Sequence, residues 1–247
     1  MKKNMFYLII IISFSFNMAF AFDFNNMQKI TYFAIDKTEI SIEQFSIFAK
    51  ATNFISKAEK VGGGLVYSFG WKKKIGWTWK TPYGKKPNKN EPVVHINYDE
   101  ATEYCKWKDK RLPSEIEWIE AAYTERRLAP KLPFIKNKTY PYPTGSNPNG
   151  ANCLSDCGLV NHVDYSNHLS QGGGHSLIGT TKAGVNGLFD MGANVWEWVD
   201  IHNDEFKGTK GGSWWYGKTQ MHSSYRAEKL RDMAVVYVGF RCVKDLN

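Results

Sequence analysis

The stretch GLFDMGANVWEW, residues 187–198, is the most informative part of this chain. Two shorter motifs follow it before the C-terminus, GGSW at residues 211–214 and GFRC at residues 239–242. Each motif taken alone is a weak pattern that unrelated proteins also contain. Their combination is the specific feature, because three short motifs seldom occur together and in this order by chance.

Shorter blocks of the same kind occur upstream. They are RLPSEIEW at residues 111–118, KTEIS at 37–41, AEKVGG at 58–63, PVVHINY at 92–98, and the pairs Asn152-Cys153 and Cys157-Gly158. In this order the blocks resemble the formylglycine-generating enzyme family, also called the sulfatase-modifying factor family, over nearly all of residues 22–247. The resemblance implies an α+β fold, similar to the C-type lectin fold, with few short helices and many irregular loops.

The N-terminal segment has the layout of a secretory signal peptide. Two lysines precede an uncharged apolar run from Met5 to about Phe16, and Ala19-Phe20-Ala21 supplies a small-x-small cleavage site. We therefore expect a signal peptide over residues 1–21 and export to the periplasm, the cell surface or the extracellular space. No later stretch is long and apolar enough to span a membrane. An uncleaved anchor is the alternative, because the uncharged run is close to the shortest length that crosses a bilayer.

Residues 22–247 are long enough for one domain with a sizeable core, and no linker divides them. Aromatic residues make up 15% of the chain, with nine tryptophans, which is typical of a loop-rich fold held together by large rings. The formal net charge is +8, and +6 without Lys2 and Lys3. A basic exported domain is suited to anionic lipid or glycan, and no nucleic-acid partner is expected.

Capping residues predict helices in the first half of the domain. The helices are expected to begin after Ser41, Asn97 and Ser114, with a further short turn after Ser56. The predicted buried stripe of the last helix comprises Ile116, Ile119, Ala122 and Tyr123. Short strands are expected over residues 33–36, 93–96, 210–215 and 234–243.

Residues 61–92 have no helical pattern and are expected to form a long loop or ribbon. Three glycines at 62–64 lead into a segment in which Trp71, Trp77, Trp79 and Tyr83 alternate with lysines. Rings beside lysines can contact an anionic or glycan ligand. The alternative is a solvated loop whose rings pack onto the core.

All four cysteines, Cys105, Cys153, Cys157 and Cys242, lie in the expected mature chain. An even number in an exported protein predicts two disulfides, for which three pairings are possible. Cys153 and Cys157 are close enough for a local bridge, and the other two would then close a loop worth up to about 4–5 kcal/mol of chain entropy. The family resemblance implies the same pairing. Half of a metal site is the alternative for Cys153 and Cys157, although no second cysteine pair accompanies them.

The resemblance also implies calcium, a hard cation that prefers carboxylate and carbonyl oxygens. The expected ligands of one ion are the side chains of Asp190 and Glu197 and the carbonyls of Ala193 and Val195. Those of a second ion are the Asn152 side chain and the Cys153 carbonyl, with Asp164 as the candidate carboxylate. The alternative role of Glu197 is an internal ion pair with an arginine such as Arg241.

Catalytic members of the family hold copper with two cysteines after the GGSW motif and convert a cysteine of a sulfatase peptide to formylglycine. A pair of soft thiolates is what Cu(I) requires. In this chain the corresponding positions, Tyr216 and residues 220–222, carry no cysteine. Met221 and His222 are more often a packed methionine and a surface histidine than copper ligands. We therefore expect neither copper binding nor formylglycine generation.

Two functions stay open at this point. The first is a binding or assembly module for an exported protein, peptide or glycan, with a groove at Trp214, Trp215, Tyr216 and Arg226, where the family binds its peptide. The second is a periplasmic oxidoreductase that acts on a peptide or secondary metabolite without the copper thiolates. Its candidate acid–base groups are Tyr216 and His222.

Overall fold

The computed structural model describes residues 26–158, 160 and 163–246. The expected signal peptide over residues 1–21 lies outside the described residues. Within the described part of the chain, no helix has the length and apolar character needed to cross a membrane. Short helices and small sheets joined by long loops confirm the expected α+β, loop-rich fold.

The described residues form four α-helices. These are α1 (Ile42–Thr52), α2 (Lys57–Lys60), α3 (Tyr98–Trp107) and α4 (Glu115–Tyr123). Each begins at a capping box, with Ser41, Ser56, Asn97 and Ser114 as the capping residues, which confirms the four expected starts. Helix α1 ends at Asn53, whose left-handed φ of 56° closes the last turn.

In the described residues, nine short strands form three small sheets. The strands are β1 (Met27–Lys29), β2 (Phe33–Asp36), β3 (Gly63–Tyr67), β4 (Trp71–Ile75), β5 (Trp196–Val199), β6 (Phe206–Lys210), β7 (Ala227–Leu230), β8 (Val238–Gly239) and β9 (Val243–Asp245). The sheet orders are β1-β2-β9, β3-β4 and β7-β6-β5-β8, and the pair β5–β8 is parallel. Pairing of β2 with β9 joins the two ends of the domain in one sheet.

Some strand predictions were wrong. Residues 93–96 are buried but form no strand, because His95 has a left-handed φ of 59° that interrupts an extended chain. The strand expected over 210–215 stops at Lys210, since Gly211 turns the chain with a φ of 95°. Within 234–243, only β8 and the first residue of β9 are strand, and β5 and β7 were not predicted.

The buried face of α4 also differs from the predicted stripe. Ile116 is 75% exposed, whereas Trp118 and Ala121 are fully buried. Glu117 is buried because it completes the capping box and accepts two hydrogen bonds from Arg111, at 2.7 and 2.6 Å. These contacts fix the rotation of the helix and leave Ile116 on the solvent side.

Both expected disulfides are present, Cys105–Cys242 and Cys153–Cys157. The long bridge ties α3 to the chain just before β9. It lies in the main core, a cluster of large rings that includes Phe45, Tyr104, Trp198 and Phe240. The rings of residues 61–92 are divided: Trp77, Trp79 and Tyr83 are buried in this core, and Trp71 remains 45% exposed.

Candidate functional site

The GGSW motif is joined directly to the motif at residues 187–198. The backbone N–H of Ala193 donates to the carbonyl of Gly211 at 2.7 Å, and that of Trp214 donates to the carbonyl of Asn194 at 2.9 Å. A β-carbon at Gly211 would lie 2.7 Å from the carbonyl oxygen of Met191. Glycine is therefore required where the two motifs meet.

The residues after this junction form an aromatic cluster around Tyr237. Trp214 and Trp215 are buried, and Tyr216 is half-buried. The Tyr216 hydroxyl lies 3.4 Å from that of Tyr237, and its ring packs edge-on against Trp196. The structure brings three of the four expected groove residues together, and of these three Tyr216 presents the largest surface.

Arg226, the fourth expected groove residue, is exposed and paired with carboxylates. One of its amino groups donates to Glu115 at 2.9 Å, and the other lies 2.8 Å from Glu228. The neighbouring Tyr225 packs against Trp196 with ring centroids 6.0 Å apart, which connects this segment to the aromatic cluster. The positive charge of Arg226 is thus balanced within the molecule.

A cavity of about 190 Å³ opens beside the aromatic cluster. Its lining comprises Asn152, Cys153, Leu154, Gly158, Val160, Gly172, Gly173 and Trp214. The backbone N–H of Leu154 donates to the carbonyl of Tyr216 at 2.9 Å, so the small disulfide loop and Tyr216 form one hydrogen-bonded unit. A cavity of this size accommodates a small side chain or a few water molecules.

The two candidate acid–base residues have different neighbours. Burial raises the pKa of Tyr216, and its hydrogen bond with Tyr237 offsets part of that effect. His222 lies with Nδ1 2.9 Å from the Ser224 hydroxyl, and its ring is edge-on to Tyr142. A tyrosine with a raised pKa stays protonated at neutral pH, so Tyr216 is not suited to act as a general base.

Met221 is fully buried, and its sulfur lies 3.5 Å from the sulfur of Cys157. It packs against the small disulfide, whereas the neighbouring His222 is only half-buried. This arrangement matches the packed methionine and surface histidine that the sequence left as the more frequent interpretation.

The side chains expected to bind the first calcium surround Arg241. Glu197 accepts hydrogen bonds from Nε and Nη2 of Arg241 and from Nε1 of Trp118, each at 2.7 Å. Asp190 accepts from the backbone N–H of Gly179 at 2.7 Å. Glu197 therefore has the ion-pair role that was the alternative to metal binding, and in this arrangement its oxygens do not fit a calcium ion.

Glu39 adds a third carboxyl group to the same buried cluster. Burial raises its pKa well above the ordinary range, and the charges of Asp190 and Glu197 raise it further. The cluster thus contains one guanidinium group, that of Arg241, and three carboxyl groups, those of Glu39, Asp190 and Glu197. Among the described residues, no group of three or more Asp, Glu, His or Cys side chains is arranged to hold a metal ion. Calcium binding stays a prediction, and no step below depends on it.

The residues expected to bind the second calcium have separate partners. The amide nitrogen of Asn152 donates to the carbonyl of Gly174 and to the side-chain oxygen of Asn194, both at 3.1 Å. Asp164 is exposed and accepts from the backbone N–H of Ser166 at 2.9 Å.

A buried polar network beneath the aromatic cluster was missed by sequence reasoning. His175 Nε2 lies 2.7 Å from Glu91, and its Nδ1 lies 3.0 Å from the Tyr83 hydroxyl. The Tyr165 hydroxyl donates to Glu91 at 2.8 Å. Burial opposes ionisation of Glu91, but its contacts with His175, Asn88 and Tyr165 together outweigh burial and lower its pKa. Because Tyr83 packs against Trp214, this network forms a rigid base for the site.

A family model for the sulfatase-modifying factor enzyme 1-like domain matches residues 13–246. The chain is 26% identical over 269 residues to the formylglycine-generating enzyme of Thermomonospora curvata, covering 88% of this chain and 83% of that protein. It is 25% identical over 244 residues to a Mus musculus protein named inactive C-alpha-formylglycine-generating enzyme 2, covering 85% and 74%.

Two solved structures are similar to the present one. PvdO from Pseudomonas aeruginosa has a TM-score of 0.58 at 18% identity, covering 87% of this chain and 80% of that chain. CarF has a TM-score of 0.56 at 16% identity, covering 87% of both chains. At these identities the likeness establishes a shared fold and carries no information on activity.

Proposed function

The chain belongs to the sulfatase-modifying factor family, and we propose that it is a non-catalytic member, an exported module that binds a protein, peptide or glycan in the periplasm or at the cell surface. The observation that carries the proposal is the state of the cysteines. The sequence has four, and all four are paired in the two disulfides. Copper-dependent formylglycine generation requires a thiolate pair, and each cysteine sulfur here is already part of a bridge.

The names of the relatives do not decide between the two roles. A relative named as an enzyme and one named as inactive are 26% and 25% identical to this chain. The chain is thus about equally similar to both relatives, and overall identity does not distinguish an enzyme from an inactive protein. The choice between the two roles therefore depends on the residues at the site, and positions 216 and 220–222 carry no cysteine.

The proposed ligand lies against Tyr216 and the cavity beside Trp214. Trp214 lines this cavity, and the carbonyl of Tyr216 is bonded to Leu154 of the same lining. Aromatic rings beside a small cavity can bind an apolar side chain of a peptide or the apolar face of a sugar. Tyr216 keeps its phenolic proton because burial raises its pKa, so its hydroxyl can donate a hydrogen bond to such a ligand. The network of His175 and Glu91 supports the site from below without taking part in binding.

The first test is for the reaction that the proposal excludes. The purified protein is loaded with Cu(I) and incubated in air with a cysteine-containing sulfatase peptide, and the peptide mass is followed. The enzyme of Thermomonospora curvata serves as the positive control. We expect no aldehyde product from this chain. Aldehyde formation over several turnovers would overturn the proposal.

The second test concerns binding. The protein is applied to arrays of peptides and glycans, beside the variants Tyr216→Ala and Tyr32→Ala. Tyr32 is 56% exposed and lies in the turn between β1 and β2, away from the aromatic cluster in sequence. We expect binding that is lost in Tyr216→Ala and retained in Tyr32→Ala. Equal binding by both variants would place the ligand site elsewhere.

Oxygen consumption separates the oxidoreductase alternative from the binding module. Measured with any array ligand that binds, it is expected to stay at the background rate. Consumption that Tyr216→Phe and His222→Ala both abolish would establish an oxidase and contradict a purely binding role.

A further inference from the structure

The β3–β4 hairpin presents aromatic side chains to solvent. All five residues of β4 are exposed, and Phe69 in the connecting turn is 101% exposed. Tyr67 and Trp71 are directly paired at the turn, with ring centroids 5.5 Å apart, and are 44% and 45% exposed. Trp71 also packs against Tyr237, with centroids 6.4 Å apart, but a large part of each of the three rings stays in solvent. Grouped exposed rings of this kind mark contact surfaces.

Phe69 also has an unfavourable backbone conformation. Its φ of 50° lies in the left-handed region, which bulky residues with a β-carbon seldom adopt. Asparagine or glycine occupies this region at lower cost. A strained residue with a side chain fully in solvent cannot be explained by packing inside the fold, and strain of this kind often marks a functional contact.

Positive charge is concentrated on the same segment. Residues 61–89 contain seven lysines and no aspartate or glutamate, while the whole chain has a formal net charge of +8. Three of these lysines, at positions 72–74, lie on the exposed strand β4. The first of them, Lys72, is three residues from Phe69, so the two Cα atoms are at most about 10 Å apart.

We propose that the β3–β4 hairpin docks on a membrane rich in anionic lipid, with its tip inserted into the interface. The order of side chains along the hairpin matches the layers of a bilayer. Phe69 is outermost and would reach the acyl boundary, Tyr67 and Trp71 follow at the level where such rings concentrate, and the lysines meet the phosphates. An anionic polysaccharide or acidic protein would pair with the lysines but gives no role to the fully exposed Phe69. The inference does not depend on what the Tyr216 site binds.

The test is co-sedimentation of the purified mature chain, residues 22–247, with two kinds of vesicle. One is pure phosphatidylcholine, and the other is an equal mixture of phosphatidylcholine and phosphatidylglycerol. We expect strong preference for the mixed vesicles. Replacing the three lysines at 72–74 by glutamine is expected to lower the partition coefficient on the order of 100-fold, since each lysine contributes about fivefold. Phe69→Ala is expected to lower it roughly tenfold.

Matched controls remove the same groups elsewhere. Replacing Lys131, Lys136 and Lys138, all exposed, by glutamine removes equal charge, and Leu132→Ala removes an apolar side chain that is 90% exposed. Every protein begins at residue 22, so the apolar N-terminal run contributes to none of the ratios. Loss of binding in the hairpin variants alone supports the proposal.

Three outcomes would overturn it. The first is equal binding to both kinds of vesicle. The second is an equal loss in the control lysine variant, which would indicate attraction by net charge without a docking surface. The third is wild-type affinity in Phe69→Ala, which would indicate electrostatic attachment that any polyanion could provide.

Discussion

The buried motif region (residues 187–198, 211–216 and 239–242) and the β3–β4 hairpin are both rich in aromatic residues, yet they place them in opposite environments. Trp214 in the first is 1% exposed, and Phe69 in the second is 101% exposed. In the motif region the rings have charged neighbours, Glu197 and Arg241, which are buried as an ion pair. On the hairpin, three exposed lysines follow Trp71 directly. Charged groups resist burial without partners. Charge beside a ring is therefore compatible with burial where it is paired inside the fold, as at Glu197 and Arg241, while the lysines of β4 stay in solvent together with the rings at the hairpin tip.

The largest expected effect is on the buried side and concerns Arg241. Arg241→Gln would leave the carboxyl groups of Glu197, Glu39 and Asp190 without their cation, and we expect a loss of about 5 kcal/mol in the free energy of unfolding. Arg231 pairs with Asp99 at the surface, and Arg231→Gln is expected to cost about 0.5 kcal/mol. Urea unfolding of both variants measures the contrast.

Calcium provides the decisive control for this prediction. If the expected calcium compensated Glu197 in place of Arg241, added calcium would restore much of the stability of Arg241→Gln, and elemental analysis of the wild-type protein would find the ion in stoichiometric amount. Similar losses in Arg241→Gln and Arg231→Gln would show that the buried ion pair of Arg241 contributes no more to stability than an exposed one.

The next prediction compares one tryptophan from each region. Trp214→Ala removes a buried ring that packs against Tyr83, Trp215 and Tyr237, and should cost about 4 kcal/mol. Trp71→Ala removes a ring that is 45% exposed and should cost less than about 1 kcal/mol. Thermal or urea unfolding tests both. A cost for Trp71→Ala as large as that for Trp214→Ala would make the hairpin part of the core and remove the premise of membrane docking.

His95 connects the hairpin to the interior and predicts a pH dependence of stability. Its ring fills the space that a side chain at Gly64 of β3 would need, and Nε2 donates to the carbonyl of Pro82 at 2.9 Å. Burial lowers the pKa of His95 to about 4, against an ordinary value of 6.5. The unfolded chain therefore takes up the proton first, so this contribution is complete above pH 6.5 and is lost as the pH falls towards 4.

The expected loss over that range is about 3 kcal/mol. Urea unfolding at a series of pH values measures it, and His95→Gln, which cannot titrate, is the matched variant. Its stability is expected to be lower at neutral pH and flatter between about pH 6.5 and 4.5, above the range where most carboxylates titrate. An equal slope in both proteins would assign the pH dependence to other groups.

Sequence reasoning succeeded where the interacting groups are close in the chain. The capping boxes at Ser41 and Ser114 join residues three positions apart, so both partners are visible in the sequence. The disulfides had only three possible pairings, and the family resemblance selected the one that is present. The motifs at 187–198 and 211–214 predicted the fold through the family resemblance, and in the structure they contact each other directly.

Sequence reasoning failed where contacts between residues far apart in the chain determine the structure. His175 meets Tyr83 and Glu91 across 92 and 84 positions, and nothing local distinguishes it from a surface histidine. Ile116 fits a helical stripe, but contacts of its neighbour Glu117 with Arg111 turn it outwards. Trp71 and Trp77 lie in one lysine-rich segment, and their opposite exposure depends on the path of the β3–β4 hairpin.

The smallest expected effect concerns Phe69 and is opposite in sign to the others. Phe69→Asn places a residue that tolerates the left-handed region at a φ of 50°, and the free energy of unfolding should rise by about 0.5–1 kcal/mol. Phe69→Ala removes the ring but keeps a β-carbon in the same conformation, so it should gain little. The urea midpoint at unchanged slope measures both.

The two variants should nevertheless lose vesicle binding alike, because both lack the ring. Higher stability with weaker binding in Phe69→Asn would mean that the hairpin keeps a residue unfavourable for its own fold because of a contact outside it. Trp214 differs in this respect, because the contacts of its ring lie inside the fold and stabilise it. Equal stability of the Asn and Ala variants would instead show that the turn is unstrained, and the membrane proposal would then rest on the exposed rings and the lysines without the backbone conformation of Phe69.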